Sequence, residues 1–182
     1  MLLLEPHPGS ALPDLRIEAE AERREGGVVA LRYALSGAIE DVLLPPPAQP
    51  ERTNGLWRHT CFEAFVRARA EAGYFEINLS PSGQWAVYRF SDYRQDMAAA
   101  EEVVPPQIET HAGGDRLELA ACIDLGPVLG LLERLPCQLG LAAVVEERGG
   151  RLSHWALAHP SGQPDFHHEH CFALELPPPE RR

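Results

Sequence analysis

The 182-residue sequence contains no lysine, and all sixteen of its basic residues are arginine. Schiff-base chemistry, which needs a lysine amine, is thereby excluded. The arginines are scattered along the chain, and against twenty-seven acids they leave a formal net charge of −11. That sign repels phosphate backbones, so nucleic acid is not an expected partner. No apolar run approaches the roughly 20 residues that a bilayer requires. The opening MLLLEPHPGS has neither a basic leader nor a long hydrophobic segment, so no membrane association is expected and the expected location is cytoplasmic. Cysteine is sparse: Cys61, Cys122, Cys137 and Cys171 form no CxxC pair and are expected to be reduced and buried. The phosphate-binding patterns GxGxxG and GxxxxGK[ST] are missing, and Ser82 lies in SPSG without the GxSxG context of a hydrolase nucleophile.

What remains is ordinary for a folded domain, with 45% hydrophobic and 24% charged residues. This length buries a full core without disulfide or metal staples, and a single domain spanning residues 1–182 is expected.

Alternation of apolar and polar residues dominates the chain. Leu15 to Arg23 and Val28 to Leu35, separated by Gly26-Gly27, read as a hairpin. Val42 to Leu44 reads as a short strand closed by PPPAQP, because proline cannot donate to a ladder. In the stretch Gly55 to Tyr93, Phe62, Ala64 and Val66 alternate with Cys61, Glu63 and Phe65, and Phe75, Ile77 and Leu79 alternate with Tyr74, Glu76 and Asn78. A loop at Ala70 to Gly73 would set residue 67 opposite 76 and residue 65 opposite 78, placing both apolar sets on one face. SPSG then returns Gln84 to Phe90 beside Tyr74 to Leu79. Ser91 to Glu102 reads as a helical or irregular excursion, Leu117 to Ile123 as a strand after GGD, and Asp124 to Leu135 as a short helix. Leu139 to Val145 reads as a central strand, and EERGGR turns it into Ser153 to His159. HPSGQPDFHHEH reads as a long polar loop before a last strand with Phe172, Leu174 and Leu176. Many short strands without a βαβ rhythm give an all-β sandwich with one or two short helices.

Trp57, Glu63, Glu76, Asn78, Trp85, Arg89 and Trp155 combine aromatic faces with hydroxyl-binding groups, a mixture suited to a sugar. For Trp85 and Trp155 a core position is the alternative, and Glu76 could instead pair with Arg67 across its hairpin. His154, His159, His167, His168 and His170, with Cys171 and with His59 and Cys61 earlier, are candidate zinc or copper ligands, although HHEHC lacks a paired metal spacing. Glu63 and Glu76 could form a carboxylate pair of the glycosidase kind, but nothing in the sequence sets their pKa values apart. No catalytic residue is assigned.

Taken in order, LWRHTCFEAFV, YFEINLSPSGQWAVYRF, SHWALAHP and PDFHHEHCFALEL resemble the DOMON-like proteins related to family-nine carbohydrate-binding modules. The resemblance covers nearly the whole chain. It implies an immunoglobulin-like, jelly-roll-like antiparallel β-sandwich that binds sugar or haem on one sheet. It matches Trp57 to the first of two sugar-sandwiching tryptophans, Glu63 to the acid and Trp155 to the second tryptophan, with Arg89 as the matching arginine. The chain departs from the pattern just before Trp155, where Arg151, Leu152, Ser153 and His154 stand in place of an amide. Haem-binding relatives use Met/His or Met/Lys pairs; lysine is absent here, leaving Met97 with a histidine. The expected function is a non-catalytic module holding a small polar ligand, foremost a saccharide, through Trp57, Glu63, Glu76, Asn78, Arg89 and Trp155. The alternatives are a haem- or metal-binding redox protein and a protein-docking module or homodimer.

Overall fold

The computed structural model describes residues 1–10, 14–69, 71–129 and 135–178, and these form an antiparallel β-sandwich. In chain order the strands are β1 (Leu2–Pro6), β2 (Leu15–Arg23), β3 (Val28–Gly37), β4 (Cys61–Ala68), β5 (Tyr74–Leu79) and β6 (Trp85–Phe90). They are followed by β7 (Ala98–Ala99), β8 (Gln107–Gly113), β9 (Arg116–Asp124), β10 (Cys137–Glu146), β11 (Leu152–Ala156) and β12 (Leu174–Leu176). One sheet runs β1-β2-β3-β9-β8. The other runs β7-β6-β5-β4-β10-β11-β1, with β12 also paired to β10. Strand β1 belongs to both: Leu2 to Leu4 pair with β2, and Glu5 and Pro6 then pair with Ala156 and Trp155 of β11.

The interior follows from period-two patterning. Ile17, Leu31, Tyr33, Leu35, Leu117, Leu119 and Ile123 of the first sheet meet Phe62, Ile77, Leu79, Val87, Leu139 and Leu141 of the second, all buried in one cluster. Each such aliphatic side chain contributes about 1.5–3 kcal/mol on leaving water. Two contacts tie the sheets at their centre: Tyr33 stacks on Phe62 at 4.9 Å, and its hydroxyl donates to the Glu63 carbonyl at 2.7 Å.

The second sheet is covered on its other face too. Phe65, Tyr74, Tyr88, Phe90 and Val144 form a separate buried cluster with Phe166 and Phe172, which arrive on the segment between β11 and β12. Strand β4 is therefore buried at every position except the partly exposed Arg67.

Several local expectations change. The β4–β5 pairing places Glu63 opposite Asn78 and Phe65 opposite Glu76, two residues away from the expected register. Parity, and with it the sorting of faces, survives because the displacement is even. The connection is longer than four residues: Val66 and Phe75 are the last paired positions. Arg67 bonds Gln138 at 2.9 Å and lies over Phe172, not beside Glu76. Val42 makes only an isolated bridge, to Glu147. The excursion after β6 holds turns and the two-residue β7 rather than a helix, and β8, which no alternation announced, lines the free edge of the first sheet. Of the expected helix at 124–135, Gly126–Leu129 is helical, and residues 130–134 lie outside the described residues. Gly126 is required by close approach: a Cβ there would stand 2.4 Å from the Gly26 carbonyl oxygen, so the β2–β3 turn packs directly on the helix start.

Tyr33→Phe removes the bond to the Glu63 carbonyl while keeping the ring, and should lower unfolding free energy by about 1–2 kcal/mol. Urea titration of the two proteins checks this, with an unchanged m-value as the sign that the fold persists.

Candidate functional site

The odd-sum register of β4 on β5 leaves Cys61, Glu63 and Phe65 on the same outward face as Glu76 and Asn78. Elsewhere in a sandwich that face meets water. Here the segment 157–173 covers it, and Glu63, Glu76 and Asn78 are 3%, 4% and 0% exposed. Between sheet and cover lies a cavity of about 340 Å³, lined by Trp57, Glu63, Glu76, Phe90, Arg94, Met97, Val144, His154, Pro164, Phe166 and His167. Trp57, half-buried in the tight turn Leu56–Arg58 that enters β4, meets Tyr88 edge-on at 5.7 Å.

The polar wall is a connected chain with one gap. The Cys61 thiol donates to Asn78 Oδ1 at 3.6 Å, and Asn78 Nδ2 donates to Glu76 Oε1 at 2.7 Å. His167 Nε2 stands 3.6 Å from Glu76 Oε2, and its Nδ1 is 2.7 Å from the Tyr74 hydroxyl. That hydroxyl accepts from the Arg94 backbone N–H at 3.1 Å, which leaves its own hydrogen for His167 Nδ1 and assigns the imidazole proton to Nε2, toward Glu76. The gap is Glu63, whose Oε1 is buried without a hydrogen-bond partner.

Burial governs the titration of this wall. It pushes the Glu63 carboxyl well above the usual range, and the neighbouring Glu76 charge adds to the shift. Glu76 is raised for the same first reason, opposed by the Asn78 bond and by Arg94. Burial, with the Arg94 charge, depresses His167 to about 4, and burial followed by repulsion from His7 and His159 depresses His154. The Arg94 guanidinium is held by Asp165 at 2.7 Å, whose other oxygen accepts from Tyr93 at 2.5 Å. Arg94 reaches this position with φ 54, in the left-handed region that non-glycine residues seldom occupy.

Of the residues expected at the site, Trp57, Glu63 and Glu76 line the cavity, and Asn78 lies behind them bonded to Glu76. Trp155 does not: its indole is 3% exposed within the interior between the sheets, with Nε1 donating to Ser153 Oγ at 2.9 Å. Along β11 successive side chains alternate faces, so His154, one residue earlier, takes the cavity wall. Arg89 is also displaced, since it shares the inward parity of Trp85 and Val87 on β6 and ends in an ion pair with Glu102. Trp85 is interior, with the Arg52 guanidinium 4.3 Å from its ring centroid.

Six of the eight histidines fall into three groups, and His59 stands apart, bonded to Glu146 at 2.7 Å. His167 and His154 line the cavity; His159 packs edge-on to His7 at 5.1 Å and bonds the Glu5 carbonyl; His168 and His170 contact each other on the surface. No group of three or more His, Cys, Asp or Glu side chains disposed around a metal position occurs among the described residues. Arg94, Pro164 and Phe166 went unnoticed in the sequence. The signal for Phe166 was an aromatic residue inside the polar stretch PDFHHEH.

The depressed His167 works against stability in acid. The unfolded imidazole takes up a proton below about 6.5 while the folded one resists until about 4, so stability falls across that interval by roughly 3 kcal/mol at most. The raised Glu63 and Glu76 have the opposite sign, being favourable below the ordinary value of 4.5 and costing stability as pH rises above it. Urea unfolding from pH 4 to 8 should therefore show a maximum, and His167→Gln should flatten its acid limb.

No protein-family model matches the sequence, and no curated protein matches it. Solved structures do. A candidate carbohydrate-binding protein from Bacteroides uniformis superposes with a TM-score of 0.63 at 13% identity, over 90% of this chain and 81% of that one. A family-nine carbohydrate-binding module from Caldicellulosiruptor kristjanssonii, solved with cellotriose, superposes with a TM-score of 0.50 at 12% identity, over 86% of this chain and 72% of that one. At such identities the likeness is one of fold: the chain has the β-sandwich architecture found in these carbohydrate-binding proteins.

Proposed function

We propose that the chain is a single-domain, non-catalytic saccharide-binding module of the DOMON-like and family-nine type, with its ligand in the cavity between Trp57 and the Glu63–Glu76 wall. The observation that carries this reading is the buried, unpartnered Oε1 of Glu63 on the cavity wall. An unmet acceptor in such a place is costly until a donor arrives, and a sugar hydroxyl is a donor of suitable size. The indole of Trp57 supplies the apolar surface that sugar C–H groups favour. A volume of about 340 Å³ falls in the range of small-molecule sites. The fold shared with carbohydrate-binding proteins supports the same reading. Haem is a weaker fit: Met97 and two histidines line the cavity, but so do two buried carboxyls, and the space suits one sugar ring better than a porphyrin.

Calorimetric titration with monosaccharides and disaccharides tests the proposal. At least one should bind in the micromolar to millimolar range and perturb tryptophan fluorescence. Trp57→Ala should weaken that binding by several-fold or more and abolish the fluorescence response, because Trp85 and Trp155 lie on the far side of the sheet. A folded wild-type protein that binds no member of the panel at millimolar concentration would refute the reading.

A further inference from the structure

Three charged or titratable groups line the cavity with Glu63 and Glu76, and their balance is uneven. From the segment after β6 comes Arg94, whose positive charge is met by Asp165. From β11 and the covering segment come His154 and His167, and both are held below the ordinary imidazole range by burial. On the strands themselves the neighbours are the Cys61 thiol and the Asn78 amide, both uncharged. Two carboxyls therefore share one buried wall: the Arg94 charge, already paired with Asp165, reaches Glu76 in part, and no cation serves Glu63. The Asn78 amide serves Glu76 alone, and Glu63 Oε1 is buried without a hydrogen-bond partner.

We propose that the ligand carries a protonated amine set between Glu63 and Glu76, which makes an amino sugar the class of saccharide this cavity takes. The inference rests on the saccharide-binding reading above and specifies the substituent. A hydroxyl offers one hydrogen to Glu63 and leaves the two carboxyls to repel each other. An ammonium offers three hydrogens and a full charge, enough to bridge the two carboxyls, and hydrogen bonds between ionised partners are about twice as strong as neutral ones. The half-buried indole of Trp57 adds a face that attracts cations as well as C–H groups. In the empty site the carboxyl pair retains a proton well above the usual glutamate range, and an entering ammonium takes that proton's place. Binding therefore releases a proton, and affinity rises with pH until the ligand's own amine begins to lose its charge.

The probes are glucosamine, glucose and N-acetylglucosamine, titrated calorimetrically against the full chain from pH 5 to 8 in buffers of different ionisation enthalpy. Glucosamine should bind at least tenfold more tightly than the other two at pH 7, with tightening toward higher pH and a buffer-dependent heat that reports net proton release. Glu63→Gln, which keeps the shape and removes the charge, should erase the preference for the amine, so that glucosamine binds no more tightly than glucose. The wild-type proton release tests the proposal independently of whether that variant folds. Equal affinity for glucose and glucosamine, or glucosamine binding without proton release, would overturn this inference and leave the saccharide reading intact. Failure of all three sugars to bind would overturn the inference, and if the wider panel fails as well the saccharide reading falls with it.

Discussion

The structure depends on one sheet having no wet face. Strands β4, β5 and β10 are pressed against the first sheet on one side and roofed by segment 157–173 on the other, so nearly every side chain on them must find a partner inside the protein. Apolar residues do so by packing, and Phe62, Phe65, Ile77 and Val144 account for most of these positions. Glu63, Glu76 and Asn78 cannot. Their presence where aliphatic residues would be more stable sets the character of the cavity, because burial keeps the carboxyls from shedding their protons at the ordinary pH and leaves one oxygen without a donor. A roof that is largely coil, anchored by Phe166 and Phe172, is what makes this arrangement a cavity rather than a solid core.

The acids are held from both sides. Behind Glu63 the Tyr33 hydroxyl crosses the interior to bond its carbonyl, fixing the backbone of the residue that lacks a side-chain partner. In front of Glu76, His167 stands at the end of a relay running through Tyr74 to the strained backbone of Arg94. Rigid strands thus carry the acids, and the two irregular segments around 91–97 and 160–168 supply the opposite wall. Strain at Arg94 is stored where the surrounding bonds to Tyr74, Asp165 and Tyr93 over-determine it.

Much of this was legible in the sequence. Period-two alternation identified most strands and put Glu63, Glu76 and Asn78 together on one face even with the register displaced by two, since parity outlasts an even error. Composition could not decide Trp155. Strand β10 is apolar on both faces and offers no alternation to pass to β11, so family resemblance drew the tryptophan into the cleft when the pleat gives that place to His154. Arg89 failed for the same reason at a sheet margin, where inward parity leads to an exposed ion pair. Arg94 and Phe166 sit in irregular backbone, where no periodicity exists to place a side chain. The β8 edge strand was hidden because none of its positions is fully buried and most are exposed.

Strand β1 has a mechanical consequence. Its first half is hydrogen-bonded to one sheet and its second half to the other, so it acts as a clasp joining two layers that are otherwise linked through side-chain packing and chain connections. A pull on the amino terminus would load the β1–β2 ladder first and the β1–β11 bonds next to Trp155 only after the first had parted. The sandwich would thus open in sequence along one strand, and the sheet that carries the cavity would be the later of the two to feel the force.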